Sequence, residues 1–287
     1  MSRAVRCAQV LTHRRPEEVA PALIALRETA AAAGVELRFD PDETRKHSLK
    51  EGSGLTLDVP VDRDADLCIV LGGDGTILQA LRAYMGTETP VFAVNYGEVG
   101  FLATVEPEGV AEAFRRAFAG DFEVMELPAI IVDGREDEGW TAINDVSFHR
   151  KPGLRVADLS YAVSDEEVGR VRCDGVVVST PAGSTGYNLA NGGPVMAWGV
   201  EGYAVSFIAP HSLTARALVV APQDTLTVNN RSRDEPIDVT VDGRPVCELG
   251  AGDSLRVGFR DDCGRLAQIP GASFYHRLRE KFGRLAS

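Results

Sequence analysis

Leu67-Cys68-Ile69-Val70-Leu71-Gly72-Gly73-Asp74-Gly75-Thr76 is the stretch that decides the architecture. Its apolar run, Leu67 to Leu71, has no polar face, so it reads as a strand buried on both sides, as in a parallel sheet. Glycines follow at once, and Thr76 to Tyr84 reads as a helix. Upstream, Val5 to Leu11 reads as a first strand. Pro16 to Ala33 reads as a helix, with Pro16 in its first turn, Glu17 and Glu18 at its positive end and Gly34 closing it. Val35 to Phe39 is a short strand. Residues 40–64, with Gly52-Ser53-Gly54 in the middle, read as a variable connection. Downstream come a second buried strand, Pro90 to Val94, and a helix, Pro107 to Ala119. This alternation predicts a doubly wound parallel-sheet α/β domain over residues 1–121.

The pattern then changes. From Phe122 to Phe259 the chain shows short β-rich runs: Ala129–Val132, Val146–Phe148, Leu159–Val163, Val176–Ser179, Ala204–Ile208, Ala217–Val220, Thr225–Val228, Ile237–Val241 and Ser254–Gly258. Asp133-Gly134 and Asp242-Gly243 are turn signals between them. Such spacing predicts a β-sandwich-like domain over 122–262. Ser273 to Phe282 reads as an amphipathic helix, in a C-terminal segment, 263–287, that returns to the α/β domain.

The chain has 287 residues, with 30 Lys+Arg against 42 Asp+Glu and a net charge of −12. That balance argues against a nucleic-acid binder, which needs a basic stripe. The lysines are Lys46, Lys50, Lys151 and Lys281, and none follows a glycine, which excludes a Walker A loop. If the chain handles phosphates, it must meet them with backbone amides, arginines or a metal. Cys7, Cys68, Cys173, Cys247 and Cys263 show no metal-ligand spacing and read as reduced structural thiols. No apolar run reaches the roughly 18 residues of a membrane span, and the N-terminus lacks a signal-peptide core. The expectation is a cytoplasmic protein with no membrane partner.

The Gly72–Thr76 loop follows a strand end and opens a helix, where α/β folds bind ligands. Glycines let a backbone approach a ligand, and a helix N-terminus offers free N–H groups to anions. Gly72, Gly73, Gly75 and Thr76 form a candidate phosphate cradle. Asp74 beside a phosphate needs compensation: it shares a divalent metal with the phosphates, or it accepts a proton from an attacking hydroxyl. The same residues also suit a tight turn with an N-capping aspartate. Asn95-Tyr96-Gly97-Glu98-Val99-Gly100-Phe101-Leu102 is a second glycine loop at a strand end, and Asn95 suits a hydroxyl or a phosphate oxygen.

Asn144-Asp145 suits ribose hydroxyls or an adenine edge, or forms an Asx-turn. From Asp174 to Pro194 a strand runs into a loop dense in Ser, Thr and Gly. Its hydroxyls can read a base edge, and Tyr187 can stack on a flat ring. Ser184 lacks nucleophile-elbow framing, which argues against a serine hydrolase. Arg155 and Arg172 are candidate pyrophosphate contacts or ordinary surface arginines. Asp242-Gly243-Arg244 reads first as a hairpin turn, with a site role for Arg244 the second reading.

Together these pieces resemble the NAD kinase family. Gly72 to Thr76, Asn95 to Leu102, Asn144-Asp145, Asp174 to Pro194, Pro210-His211-Ser212-Leu213 and Val241-Asp242-Gly243 occur in that family's order. The Gly-Gly-Asp-Gly-Thr piece is shared with diacylglycerol, sphingosine and phosphofructokinase-like kinases. The piece from Ser179 to Tyr187 singles out NAD kinases. The resemblance implies transfer of the terminal phosphoryl of ATP, or of polyphosphate, to the 2′-hydroxyl of the adenosine ribose of NAD, giving NADP. It implies Asp74 as general base, Gly75 at the ribose and Asn144 and Asp145 at ribose and base. It implies Asp174 at the nicotinamide carboxamide. Thr185, Gly186, Tyr187, Asn188, Leu189 and Ala190 would line the adenine pocket, and Arg155, Arg172 and Arg244 would be polar contacts. A divalent metal (Mg²⁺ or Mn²⁺) would travel with ATP, with no fixed protein site, and the assembly would be a homodimer or homotetramer.

The chain departs from the family at Asp145, where glutamate is usual, at Ala182 for threonine, at Gly186 for alanine and at Ala190-Asn191 for Ser-Ala. Gln79 stands where a basic residue is frequent. The changes at Ala182 and Gly186 bear on adenine recognition and on the preference between NAD and NADH. Two other readings compete. A lipid or small-polyol kinase would need an apolar cleft, which the polar loop from Ser179 to Gly193 opposes. A non-enzymatic NAD sensor would tolerate loss of Asp74.

Overall fold

The computed structural model describes residues 4–97, 100–133, 139–271 and 274–283. They form two compact units, Met1–Glu126 with Gly264–Ser287, and Leu127–Cys263.

The first unit opens with β1 (Cys7–Thr12), α1 (Pro16–Ala33), β2 (Glu36–Arg38), α2 (Pro41–Lys46) and β3 (Leu55–Thr56). It continues with β4 (Leu67–Gly72), α3 (Asp74–Ala83), β5 (Val91–Asn95) and α4 (Val110–Phe118). The strands are parallel in the order β3-β2-β1-β4-β5. Leu67, Ile69 and Leu71 are fully buried, as their unbroken apolar run requires, and pack with Leu26, Phe92 and Phe114. α1 has the bounds read from the sequence, and Gly34 closes it at φ 70, a left-handed cap that suits glycine.

The connection read over 40–64 is corrected: it contains α2 and β3. The side chain of Asp40 caps α2 by accepting from Glu43 N at 2.8 Å, and Pro41 pre-sets the first turn. A helix of 6 residues is too short to show a period. Helix α3 begins at Asp74 rather than Thr76, and α4 begins after Gly109 (φ 75) rather than at Pro107.

The second unit is antiparallel. Along the chain come β6 (Glu123–Val132, of which residues 123–126 belong to the first unit), β7 (Trp140–Ala142), β8 (Asp145–Arg150), β9 (Ala157–Val163), β10 (Glu166–Cys173) and β11 (Gly175–Ser179). A 3₁₀ turn (Ala182–Thr185) and α5 (Tyr187–Ala190) follow, then β12 (Tyr203–Ile208), β13 (Leu218–Val220) and β14 (Leu226–Asn230). The last strands are β15 (Ile237–Val241), β16 (Arg244–Leu249) and β17 (Ser254–Gln268), of which residues 264–268 belong to the first unit. One sheet runs β13-β12-β11-β8-β15-β16, and the other is built on β10-β9-β14-β17. Side chains from both, including Phe148, Val176, Tyr203, Leu159 and Val228, fill one core, as a sandwich requires.

Three features were not expected. β7 is only three residues long. The sequence of β10, Glu-Glu-Val-Gly-Arg-Val-Arg-Cys, lacks clean alternation because it is a charged edge strand with a bulge between Glu167 and Gly169. β17 extends well past Gly258, and its polar stretch from Arg260 to Asp262 hides that continuity. Asp242 (φ 46) and Gly243 (φ 73) form the expected hairpin turn between β15 and β16. Gly134 of the other turn signal lies outside the described residues.

The chain then completes the first unit. Leu266 of β17 pairs in parallel with Val91 of β5, and α6 (Phe274–Phe282) follows. Arg277 of α6 is buried against the backbone around Phe101 and Thr104, so the terminal helix belongs with the α/β unit. Ser273, the expected start of this helix, lies outside the described residues. Among the described residues no helix is long and apolar enough to cross a membrane.

Candidate active site

In the first unit, the strand order reverses between β1 and β4, and ligands of open α/β sheets bind beyond the carboxyl ends of the strands at such a point. The register pairs Gly72 of β4 with Asn95 of β5, which sets the two glycine loops side by side. Gly73 caps α3 in an extended conformation, and Asp74 is the first helical residue. A Cβ on Gly97 would lie 2.7 Å from the Cα of Gly73, so the loops touch only because both residues lack one.

Asp74 is not an N-cap. Its Oδ1 accepts from Leu102 N at 3.1 Å and its Oδ2 from Phe101 N at 3.2 Å. Burial pushes its pKa up, while the Leu102 and Phe101 amides and the charges of Arg277 and Lys281 pull it down. The result is a largely desolvated carboxylate, charge-stabilised on one side, which is the environment of a general base. Asn95 is 3 % exposed. Its Oδ1 accepts from Gly97 N and its Nδ2 donates to Glu106, both at 2.9 Å, so its amide is engaged within the loop. Glu98 and Val99 lie outside the described residues.

Beside the Gly72–Thr76 loop is a cavity of about 470 Å³. Gly73, Gly75 and Thr76 line it with Arg14, Lys46 and Gln79. Lys46 Nζ donates to Glu43 Oε1 at 2.7 Å, to Thr12 O at 3.0 Å and to Thr12 Oγ1 at 3.1 Å. Glu43 is buried and also accepts from Thr12 N and Oγ1. The sequence reading missed Arg14, Glu43 and Lys46. The Asp40-Pro41 pair was the available signal that a helix carries the latter two.

In the second unit the Asn144-Asp145 turn is held by Asp242. Its Oδ1 accepts from Asn144 N at 2.8 Å and Asp145 N at 3.3 Å, and its Oδ2 from Ile143 N at 3.2 Å. Asp145 is 8 % exposed. Burial, and then the charge of Asp242, push its carboxyl up to about 7. The Oδ1 of Asn144 is buried without a protein partner.

The serine-rich loop packs on this turn. Thr180 Oγ1 donates to Ile143 O at 2.7 Å and accepts from Gly183 N at 3.0 Å. A Cβ on Gly183 would fall 2.2 Å from Asn144 O, so glycine is required there. Ser184 and Asn188 are fully buried. Ser184 Oγ donates to Pro181 O, and Asn188 Nδ2 donates to Ser184 O and Pro194 O at 3.0 and 2.9 Å. Both side chains brace the loop from inside. Thr185 and Leu189 are half-buried, while Gly186, Tyr187 and Ala190 are exposed. The ring of Tyr187 stacks on His149 with centroids 5.6 Å apart. Its hydroxyl pKa is raised by burial and then by Asp145 and Asp174, so these three groups share one neighbourhood. Asp174 pairs with Arg150, a contact the sequence did not suggest. Arg155 has a side chain 82 % exposed, with Glu235 at 4.0 Å, and Arg172 and Arg244 are also exposed.

Residues 1–122 match the family model described as the ATP-NAD kinase N-terminal domain, and residues 143–260 match that of the ATP-NAD kinase C-terminal domain. The chain belongs to the ATP-NAD kinase family. An NAD kinase of Gemmatimonas aurantiaca is 34% identical over 279 residues, covering 96% of this chain and 94% of that one. An NAD kinase of Lachnoclostridium phytofermentans is 37% identical over 78% of this chain and 82% of its own. The fold is shared with a yeast NADH kinase solved with NADH (TM-score 0.87, 22% identity, 99% and 89% covered). It is shared as well with an NAD kinase from Archaeoglobus fulgidus solved with ATP (TM-score 0.73, 23% identity, 98% of each chain). As an NAD kinase family member the chain is a phosphotransferase. Against the NAD kinase pattern, Ala182 lies buried in the 3₁₀ turn, and Gln79 faces the cavity that Arg14 and Lys46 supply with charge.

Proposed function

We propose that the chain transfers the terminal phosphoryl group of ATP to the 2′-hydroxyl of the adenosine ribose of NAD, giving NADP. Asp74 takes the hydroxyl proton, the ribose oxygen bonds to the terminal phosphorus, and the bond from that phosphorus to the ADP oxygen breaks. The observation that carries this reading is the Asp74 carboxylate held by two backbone amides, with its flanking glycines lining a cavity that also presents Arg14 and Lys46. A desolvated carboxylate of raised pKa suits a base, and helix-terminal amides with two cations suit phosphates.

The α/β part, 1–121 with 263–287, is assigned the base and the donor, through Gly72, Gly73, Gly75 and Thr76. The β part, 122–262, is assigned the dinucleotide. There Asn144 and Asp145 meet the ribose and base, Thr185, Gly186, Tyr187, Leu189 and Ala190 the adenine on a loop that Asn188 braces, and Asp174 the nicotinamide carboxamide. Arg155, Arg172 and Arg244 are the exposed cations assigned to the pyrophosphate. Among the described residues no group of three or more His, Cys, Asp or Glu could hold a metal ion. The divalent ion is assigned to the metal–ATP substrate. Polyphosphate is the alternative donor for the same cavity. Five free cysteines fit a reducing, cytoplasmic setting. A homodimer or homotetramer is the proposed assembly, to be read by light scattering.

The test is incubation with NAD, ATP and Mg²⁺, followed by a dehydrogenase assay specific for NADP. NADP formation is expected. NAD binding with no NADP from ATP or polyphosphate would overturn the reading.

A further inference from the structure

The second glycine loop is tied down by the C-terminal helix from both ends. Arg277 of α6 is 7 % exposed. Its Nη1 donates to Phe101 O at 2.8 Å, and its Nη2 reaches Thr104 O at 3.5 Å and Gln268 Oε1. Phe101 is also the residue whose amide, with that of Leu102, holds Asp74. One turn further along α6, Lys281 Nζ donates to Glu106 Oε1 at 3.2 Å. The other oxygen of Glu106 accepts from Asn95, which in turn fixes Gly97 N. The rings of Phe101 and Phe282 pack with centroids 5.2 Å apart.

A buried guanidinium is costly to desolvate, and burial lowers Arg277 to a pKa of about 10. Its cost is offset by three acceptors and by the charges of Glu106, Asp74 and Glu280. A helix that only needed to dock could bury a leucine there. The fork geometry of arginine instead joins the loop backbone to the last residue of β17.

We propose that Arg277 is a positioning residue for Asp74: by clamping the Phe101–Thr104 backbone it holds the two amides that orient the carboxylate. This rests on Asp74 being the base. The charged groups facing Asp74 are Arg277 and Lys281. Those facing Arg277 are Glu106, Asp74 and Glu280, and His276 beside it pairs with Glu280 at 3.2 Å. Loss of the Arg277 charge therefore raises the pKa of Asp74 further, and the acid limb of the rate profile moves to higher pH.

The test compares kcat against pH, the Kd for NAD and the thermal midpoint in wild type, Arg277→Met, Arg277→Lys and Asp74→Asn. Arg277→Met is expected to lower kcat about ten- to a hundredfold and to move the acid limb up by about one pH unit, with Kd for NAD little changed. Arg277→Lys keeps the charge but cannot bridge Phe101 O and Gln268, so it keeps the wild-type acid limb and loses about tenfold in kcat. A lowered thermal midpoint with wild-type kcat and acid limb in Arg277→Met overturns the proposal. If that variant does not fold, wild-type kcat in Arg277→Lys overturns it. Asp74→Asn separates the two failures: turnover in that variant breaks the base assignment itself, whereas its inactivity beside an unaffected Arg277→Met breaks only the positioning role.

Discussion

Asp74, half-buried, and Asp145, buried, are carboxylates at the start of a regular element, one in each unit, and they are held in opposite ways. Asp74 opens a helix, accepts from two amides and faces two cations. Asp145 opens a strand, and the charge that acts on it is another carboxylate, Asp242. Burial raises both pKa values, but only Asp74 has opposing charges to draw it back. The surroundings of Asp74 are built to hold negative charge and take a proton. Those of Asp145 favour a carboxyl that keeps its proton near neutrality and can donate a hydrogen bond. Composition could not separate the two, since an Asp beside a Gly or an Asn reads alike in both places.

The largest expected effect that breaks this contrast comes from Asp242. Asp242→Ala strips the acceptor from three successive amides and removes the charge beside Asp145. We expect a stability loss of about 3 kcal/mol in urea melts and about tenfold weaker NAD binding by calorimetry. Wild-type values of both would mean that the turn does not depend on Asp242.

A smaller effect is expected at Asp145 itself. Its pKa is raised from 3.8 to about 7, so the folded state holds a proton that the unfolded state releases. Its stabilising contribution is fully present below pH 3.8 and is lost as pH rises through 7. Asp145→Asn should match wild type near pH 4 and exceed it by on the order of 2 kcal/mol at pH 8. Thermal midpoints measured from pH 4 to 8 check this, and parallel curves for the two proteins would contradict it.

The smallest effect is expected at Arg155. With its side chain 82 % exposed and Glu235 no closer than 4.0 Å, Arg155→Ala should change stability by less than about 0.5 kcal/mol. If it meets the pyrophosphate, the KM for NAD should rise severalfold, and less so at high salt. An unchanged KM would remove it from the site.

Much of the fold was legible because burial writes itself into local pattern. The run from Leu67 to Leu71 gave a buried strand, and Pro16 and Gly34 bracketed α1. Helix α2 was not legible, since one and a half turns show no period, and with it went Glu43 and Lys46. Polar residues in the right loop were legible as candidates, but their direction was not. Asn95, Ser184 and Asn188 look like ligand groups in the sequence, yet in the fold they hydrogen-bond the loops that carry them. Long-range partners left no local trace. Asp242 lies 98 residues from the Asn144 amide it accepts from, and Arg277 lies 176 residues from Phe101. Only the three-dimensional structure joins them.

The most direct test of the contrast between the carboxylates is a single-turnover measurement of NADP formation in wild type and Asp74→Asn, each saturated with NAD and started with metal–ATP. NAD binding close to wild type is expected in Asp74→Asn, with phosphoryl transfer slower by about 10²- to 10⁴-fold. A transfer rate within threefold of wild type at full NAD occupancy would contradict it.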